Sequence, residues 1–231
     1  MKRLTIYCLT CLIGVSLLFA QQGVTQCGTP TGQPKFPIET YQELPDPSSP
    51  SDKDWAAVTI PQISWGTIDT RYAKHRLPQL KKQQLTTLKG WRGERVNAQA
   101  VVWTGTEVKD LNFSFTDFKD KKGNSLSDEA FKAGFIRYVM TDELNKDGRG
   151  ACGHRQAVDY DSLLVADPID TNLKSMSVPA RTVQPIWVQC WIPQSATSGT
   201  YKGALLVKDG SRLLQQLNLE ILVSSRELPA P

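Results

Sequence analysis

The stretch PIWVQCWIPQSATSGTYKGALLVKDGSRLLQQLNLEILV, residues 185–223, decides the fold. Three segments of it alternate apolar and polar side chains, which is the period of a strand with one buried face. Pro193 ends the first segment, because proline cannot donate to a strand ladder. The polar residues 194–199 and the Asp209-Gly210 pair are both typical of hairpin turns. The stretch therefore predicts three consecutive antiparallel strands, a meander.

The same alternation recurs upstream and extends the prediction to most of the chain. Strand patterns occupy residues 57–60, 87–104, 111–115 and 135–140. Short turns rich in Asn, Asp and Gly separate several of them, and no segment has a convincing helical period. A total of about seven or eight strands at this spacing is typical of two packed sheets. The predicted fold class is all-β: an antiparallel two-sheet β-sandwich with long irregular loops.

The two ends of the chain differ in composition from a folded domain. Residues 1–20 begin with two basic side chains and continue as an uncharged apolar run, which predicts a secretory signal peptide. Residues 21–54 are rich in Pro, Ser and Thr and predict an extended tether. The β-sandwich domain is expected at 55–226, with an exit linker at 227–231. We therefore expect an exported protein, in the periplasm, on the cell surface or in the medium of a bacterium.

Composition limits the partners. The formal net charge is +4, and removal of the signal peptide would lower it. So small a charge argues against nucleic acid as the main partner. A membrane would be contacted only through a lipid anchor at Cys27, which precedes the Pro-rich tether. The residues before Cys27 are not the small ones expected at a lipid attachment site, so an unmodified chain is the alternative.

A long, polar and irregular segment at residues 141–176 contains the candidate metal ligands. Glu143, Asn145 and Asp147 imitate the alternating oxygen ligands of a calcium loop. A histidine stands where such a loop needs its closing glutamate, so the residues favour an ordinary turn and no metal is expected. The chain has no nucleophile elbow, phosphate loop or dinucleotide fingerprint. It implies no cofactor, and we do not expect this chain alone to be an enzyme.

Four tryptophans and a glutamine are candidates for a binding face or a domain interface. Trp187, Gln189 and Trp191 lie on one side of the strand that opens the quoted stretch. Trp91 and Trp103 would extend this surface if their strands lie beside it. Exposed indoles can stack on sugar rings while amides bind the hydroxyls. Burial in the core or against a neighbouring domain is the more common fate of tryptophan, so both alternatives stay open.

Two segments are the most distinctive of the chain: GWRGERVNAQ at 90–99, and WVQCWIP followed by ATSGTYKG within 187–203. They resemble the N-terminal β-sandwich domain that precedes the catalytic barrel in enzymes of glycoside hydrolase family 123. Further segments agree with it in order, namely 69–72, 137–142, 152–155, 165–167 and 228–229. The likeness covers residues 55–231, the whole predicted folded part.

The resemblance implies a function for the chain. Enzymes of that family hydrolyse β-linked N-acetylgalactosamine with help from the substrate's own acetamido group, using an Asp-Glu pair in the barrel. Asp142-Glu143 lies in the sandwich part, so the catalytic role does not transfer to it. The chain is expected to be a non-catalytic accessory module of an exported carbohydrate-active protein, supporting or orienting a catalytic barrel that is absent here. The alternative is a free-standing glycan-binding protein that uses surface tryptophans.

Overall fold

The computed structural model describes residues 43–141 and 163–229. Strands dominate these ranges, which contain one short helix, α1 (Asp52–Trp55), and a 3-10 turn at Asp128–Ala130. In chain order the strands are β1 (Gln62–Gly66), β2 (Leu85–Arg92), β3 (Arg95–Thr104), β4 (Val108–Phe115), β5 (Phe118–Lys119), β6 (Ser125–Leu126), β7 (Phe131–Thr141), β8 (Leu163–Asp170), β9 (Ser175–Val178), β10 (Thr182–Trp191), β11 (Gly199–Asp209) and β12 (Arg212–Glu227). The all-β prediction is confirmed.

The strands form two sheets. Sheet A has the order β1-β3-β10-β7-β8, and all its neighbours are antiparallel. Sheet B has the order β2-β12-β11-β4-β9, with the short strand β5 paired with β11 and the short strand β6 paired with β5. Its strands β2 and β12 are parallel. The arrangement is consistent with the predicted β-sandwich.

Alternate side chains of the two sheets make the main core. Ala100 of β3 pairs with Ile186 of β10 in sheet A, and neither is exposed to solvent. Leu205 of β11 pairs with Leu217 of β12 in sheet B, and both are equally buried. Full burial of a large aliphatic side chain stabilises a fold by about 1.5–3 kcal/mol. The apolar residues at every second position of the strands therefore stabilise the packing of the two sheets by being buried between them.

The predicted three-strand meander is wrong in one respect. β11 and β12 form the expected hairpin, with Gly210 at φ 60° in its turn. β10 instead pairs with β3 and β7 in sheet A. Residues 194–199 therefore connect the two sheets and do not close a hairpin. The alternation could not reveal this, since a strand with one buried face has the same pattern in either sheet.

Three other local predictions need correction. Residues 57–60 lie outside the strands, and the first strand is β1. Residues 87–104 form two strands separated by a turn in which Gly93 has φ 86°, a conformation that glycine adopts without steric cost. The segment 141–176, predicted to be irregular, includes β8. Its aspartates and Pro168 weaken the strand pattern there.

Residues from the segment 55–80 cover part of the outer face of sheet A. Trp55 and Tyr72 pack there with Val101, Trp103 and Val183 in a second buried cluster. The Trp55 indole nitrogen also donates a hydrogen bond to the His75 carbonyl oxygen at 2.9 Å.

An ion-pair group attaches residue 43 to the same layer. The Glu43 carboxylate lies 2.6 Å from the Lys74 ammonium and 3.3 Å from the Arg137 guanidinium. Arg137 also pairs with Asp170 at 3.4 Å. All four side chains are largely buried.

Within residues 43–141 and 163–229 no helix is long and apolar enough to cross a bilayer.

Several predictions lie outside the described residues. These are the signal peptide, the lipid-anchor candidate Cys27, most of the tether, and the calcium candidates Glu143, Asn145 and Asp147. The domain boundaries also stay predictions.

Gly203 is a site where the packing forbids a larger residue. A Cβ on Gly203 would lie 2.7 Å from the Phe118 ring, which is stacked on the Phe131 ring with centroids 4.0 Å apart. We expect Gly203→Ala to lower the free energy of unfolding by about 1–3 kcal/mol in urea titrations, because the stacked rings must shift. Gly199→Ala is the matched control on the same strand, since its Cβ would meet nothing closer than 3.5 Å. Equal stabilities of the two variants would contradict this account.

Cys190 gives the module a pH dependence of known sign. It is a free, fully buried thiol in the main core, and burial raises its pKa from 9.0 to about 12. The unfolded thiol loses its proton near pH 9 while the folded thiol keeps it, so stability falls as the pH rises from 9 towards 12. We expect the free energy of unfolding to fall by about 1.4 kcal/mol per pH unit more steeply than in Cys190→Ala. Parallel slopes for the two chains would refute this contribution.

Candidate functional site

The predicted site residues on β10 share the outer face of sheet A. The register pairs Trp187 with Gln99, Gln189 with Asn97, and Trp191 with Arg95. The Gln189 side-chain amide donates a hydrogen bond to the Asn97 oxygen at 3.3 Å. Because both members of this pair are only partly buried, β10 presents amide groups to solvent beside Trp191.

The two β10 tryptophans differ in exposure. Trp187 is partly buried and packs against a third apolar cluster, formed by Ile136, Tyr138, Leu164 and Ala166. Trp191 lies farther along the strand and is 54% exposed.

Trp103 lies on the same face of sheet A, but in the part that Trp55 and Tyr72 cover. It is 7% exposed and packs against Trp55 and Tyr72. The Lys82 ammonium lies 5.7 Å from its ring centroid. The structure therefore separates Trp103 from Trp191, although the sequence places them on equivalent strand positions.

Trp91 belongs to sheet B and still lies at the same end of the sandwich as Trp191. It is 38% exposed, at the end of β2. The turn from β2 to β3 follows it, and the Trp191 indole nitrogen donates a hydrogen bond to the Gly93 carbonyl oxygen in that turn at 3.2 Å. The two indoles therefore flank the turn that joins the sheets, each on its own sheet.

Each exposed indole is accompanied by an arginine. The Arg95 guanidinium lies 5.3 Å from the Trp191 ring centroid, and that of Arg226 lies 5.5 Å from the Trp91 ring centroid. Such contacts stabilise by about 0.5–1 kcal/mol at exposed sites. They also restrict the rotamers of both partners, so the flat faces are held in place.

The end of β12 meets the same turn. The Leu228 amide donates to the Arg92 carbonyl oxygen at 2.9 Å, and the Arg92 guanidinium pairs with Glu227 at 3.1 Å. The same guanidinium donates to the Gln194 carbonyl oxygen at 3.4 Å. We call this region the exit end and define it by Trp91, Arg95, Trp191, Arg226 and Leu228.

A groove of about 570 Å³ adjoins Trp91 on sheet B. Its lining includes Lys89, Thr200 and Leu222. Among the described residues that line it, Glu94 is the one carboxylate, and it accepts a hydrogen bond from the Trp91 amide at 2.7 Å. Glycoside hydrolysis by side chains commonly uses two flanking carboxylates, and the described residues of this groove supply one.

A second groove, of about 450 Å³, lies beside Tyr201. Burial raises the pKa of Tyr201, and its hydroxyl donates a hydrogen bond to the Thr197 carbonyl oxygen at 2.8 Å.

In the described part of the chain, no group of three or more His, Cys, Asp and Glu side chains could hold a metal ion.

Comparison with known families identifies the chain. The model of the glycoside hydrolase 123 N-terminal domain matches residues 65–209. The chain belongs to this family. The match covers β3, β10 and β11, so it includes the two most distinctive segments of the resemblance, 90–99 and 187–203, while 228–229 lies beyond it. Comparison with curated proteins gives no match.

Solved structures agree with the family at the level of fold. A family 123 glycoside hydrolase from Clostridium perfringens, studied for glycolipid glycan hydrolysis, has a TM-score of 0.59 at 19% identity. The alignment covers 75% of this chain but only 28% of that enzyme. PapD-like domain 7 of human CEP192 is more distant: TM-score 0.35, 11% identity, and coverage of 80% of this chain and 95% of that one.

The sequence indicated no binding role for Arg95, Arg226 or Leu228. Arg95 and Leu228 lie in the segments 90–99 and 228–229 that carried the family resemblance, but charged and apolar residues at strand ends carry no specific binding signal. The parallel register that places Glu227 opposite Arg92 brings them together.

The different environments of Trp103 and Trp191 can be measured. Trp103→Ala should lower the free energy of unfolding by about 3–5 kcal/mol, since it opens a cavity in a buried cluster. Trp191→Ala should cost less than about 1.5 kcal/mol, because it removes one hydrogen bond and an exposed ring. Urea titration of both variants tests this. A larger loss for Trp191→Ala would mean that its indole is a structural element of the domain.

Proposed function

We propose that this chain is a non-catalytic accessory module of an exported glycoside hydrolase-like protein, and that it supports or orients the catalytic barrel of that protein. The family match over residues 65–209 carries the proposal. The enzyme from Clostridium perfringens supports it, since the part of that enzyme similar to this chain is 28% of its length.

The chemistry of the described surface favours a supporting role. Within residues 43–141 and 163–229, the groove beside Trp91 is lined by a single carboxylate, that of Glu94, which already accepts a backbone hydrogen bond. A residue engaged in this way stabilises a turn and is poorly placed to transfer protons to a sugar. The ordered contacts between the ends of β2, β10 and β12 favour a rigid mounting point for another domain.

Glycan binding is the second candidate function. The observation that favours it is the exposed Trp191 indole, which stands on β10 beside the amides of Gln189 and Asn97. An aromatic plane with neighbouring amides is suited to stack on a sugar ring and bind its hydroxyls.

Activity measurements on two proteins test the proposed function. We expect this chain alone not to hydrolyse a chromogenic N-acetyl-β-galactosaminide, and the protein expressed from the complete natural gene to do so. Deleting residues 43–229 from the complete protein should lower its melting temperature or its activity, because the barrel loses a packed neighbour. Two results would overturn the proposal: hydrolysis by this chain alone, or a complete gene product without a catalytic domain.

A further inference from the structure

The exit end combines exposed apolar side chains with fixed geometry. Trp91, Trp191 and Leu228 are three of the large apolar side chains that the described chain leaves exposed. The Trp191 indole is held by its hydrogen bond to the Gly93 carbonyl oxygen, and the Leu228 backbone by the hydrogen bond that its amide donates to the Arg92 carbonyl oxygen. Surface aromatics whose rotamers are already fixed lose little entropy when a partner covers them. Tryptophan is also among the residues that contribute most to protein interfaces.

The exit end carries more basic than acidic side chains. Its basic side chains are Lys89, Arg92, Arg95 and Arg226. Its acidic ones are Glu94 and Glu227, and Asp120 lies nearby beside Gly199. Arg92 is neutralised by Glu227. Arg95 and Arg226 contact indoles, and neither forms an ion pair with a carboxylate anywhere in residues 43–141 and 163–229. Two guanidinium groups beside apolar surface are therefore available to an acidic partner.

The path of the chain indicates which partner is within reach. The family is that of an N-terminal domain, so the rest of such an enzyme lies on the C-terminal side of the module. β12 ends at Glu227, and the Leu228 amide donates a hydrogen bond to the Arg92 carbonyl oxygen at the end of β2, next to Trp91. A domain joined on this side would begin at the exit end, and a short connection would keep it there at high effective concentration.

We propose that the exit end is the surface on which the catalytic domain of the same protein docks, through an acidic face that carries apolar side chains. This inference rests on the proposed accessory function. A second copy of the chain is disfavoured as occupant, because it would bring the same excess of positive charge to the contact. A docked domain would cover Trp91 and Trp191 together, since they border the turn on either side.

Oxidative footprinting read by mass spectrometry tests the location of the contact. The two samples are the chain of residues 1–231 and the complete natural gene product. Oxidation of Trp91 and Trp191 should be at least severalfold slower in the complete product. Leu85 and Leu213, which are exposed at the opposite end of the sandwich, are internal controls and should react equally in both samples.

Charge reversal tests the predicted chemistry of the partner. In the complete protein, Arg95→Glu with Arg226→Glu should separate the calorimetric transitions of the two domains, or lower the melting temperature of the catalytic domain. Lys109→Glu is the matched control, because Lys109 is exposed at the opposite end. The same reversals in the chain of residues 1–231 should lower its own melting temperature by only a few degrees, because two exposed contacts between arginine and indole are lost. A larger loss in the complete protein than in this chain separates lost docking from this local effect.

The outcomes distinguish this inference from the proposed function. Protection of both indoles with uncoupling by the double reversal supports the docking surface. A complete, active enzyme in which both indoles oxidise as fast as in the short chain overturns the docking surface alone. A gene product without a catalytic domain overturns both. Specific binding of the chain to a glycan array, lost in Trp191→Ala and kept in Leu213→Ala, would reassign Trp191 to sugar recognition and also overturn the docking surface.

Discussion

The parallel ladder between β2 and β12 is the constraint on which the exit end depends. It pairs Leu88 with Ile221 and Gly90 with Val223, and after a break in register it resumes where Glu227 pairs with Arg92. A Cβ on Gly90 would lie 2.7 Å from side-chain atoms of Ile192 and Val96, so the glycine lets β2 approach the facing sheet. The chain then turns at Gly93 and enters sheet A as β3. One ladder therefore fixes the edge of sheet B, the crossing between the sheets and the position of the C-terminal strand.

The alternation of apolar residues predicted the strands and most of the core because burial of one strand face is a local property. Ile186, Val188 and Cys190 are buried as expected, and the Asp209-Gly210 turn closes the expected hairpin. The partner of each strand is decided by contacts far apart in sequence. The parallel pairing of β2 with β12 and the transfer of β10 to sheet A are of that kind, so a single sequence did not disclose them.

The candidate site was predictable in its residues but not in their arrangement. Trp103 and Trp191 have the same strand parity, and only the covering segment with Trp55 and Tyr72 makes one of them buried. Composition had assigned Trp55 to the start of the domain and gave no indication that it covers a sheet face. The arginines that accompany the exposed indoles became recognisable only when the strand ends were brought together.

The position of β12 also determines how the module would respond to mechanical force. β12 is paired with β11 from Arg212 to Val223, and with β2 from Asn218 to Val223 and again at Glu227. A pull on Leu228 along the strand axis would act across both ladders at once, because the hydrogen bonds of the antiparallel ladder run perpendicular to the strands and those of the parallel ladder cross between the strands at a slant. The bonds would have to shear together instead of opening one after another. β12 is thus expected to resist mechanical unfolding when a force acts on the chain at Leu228.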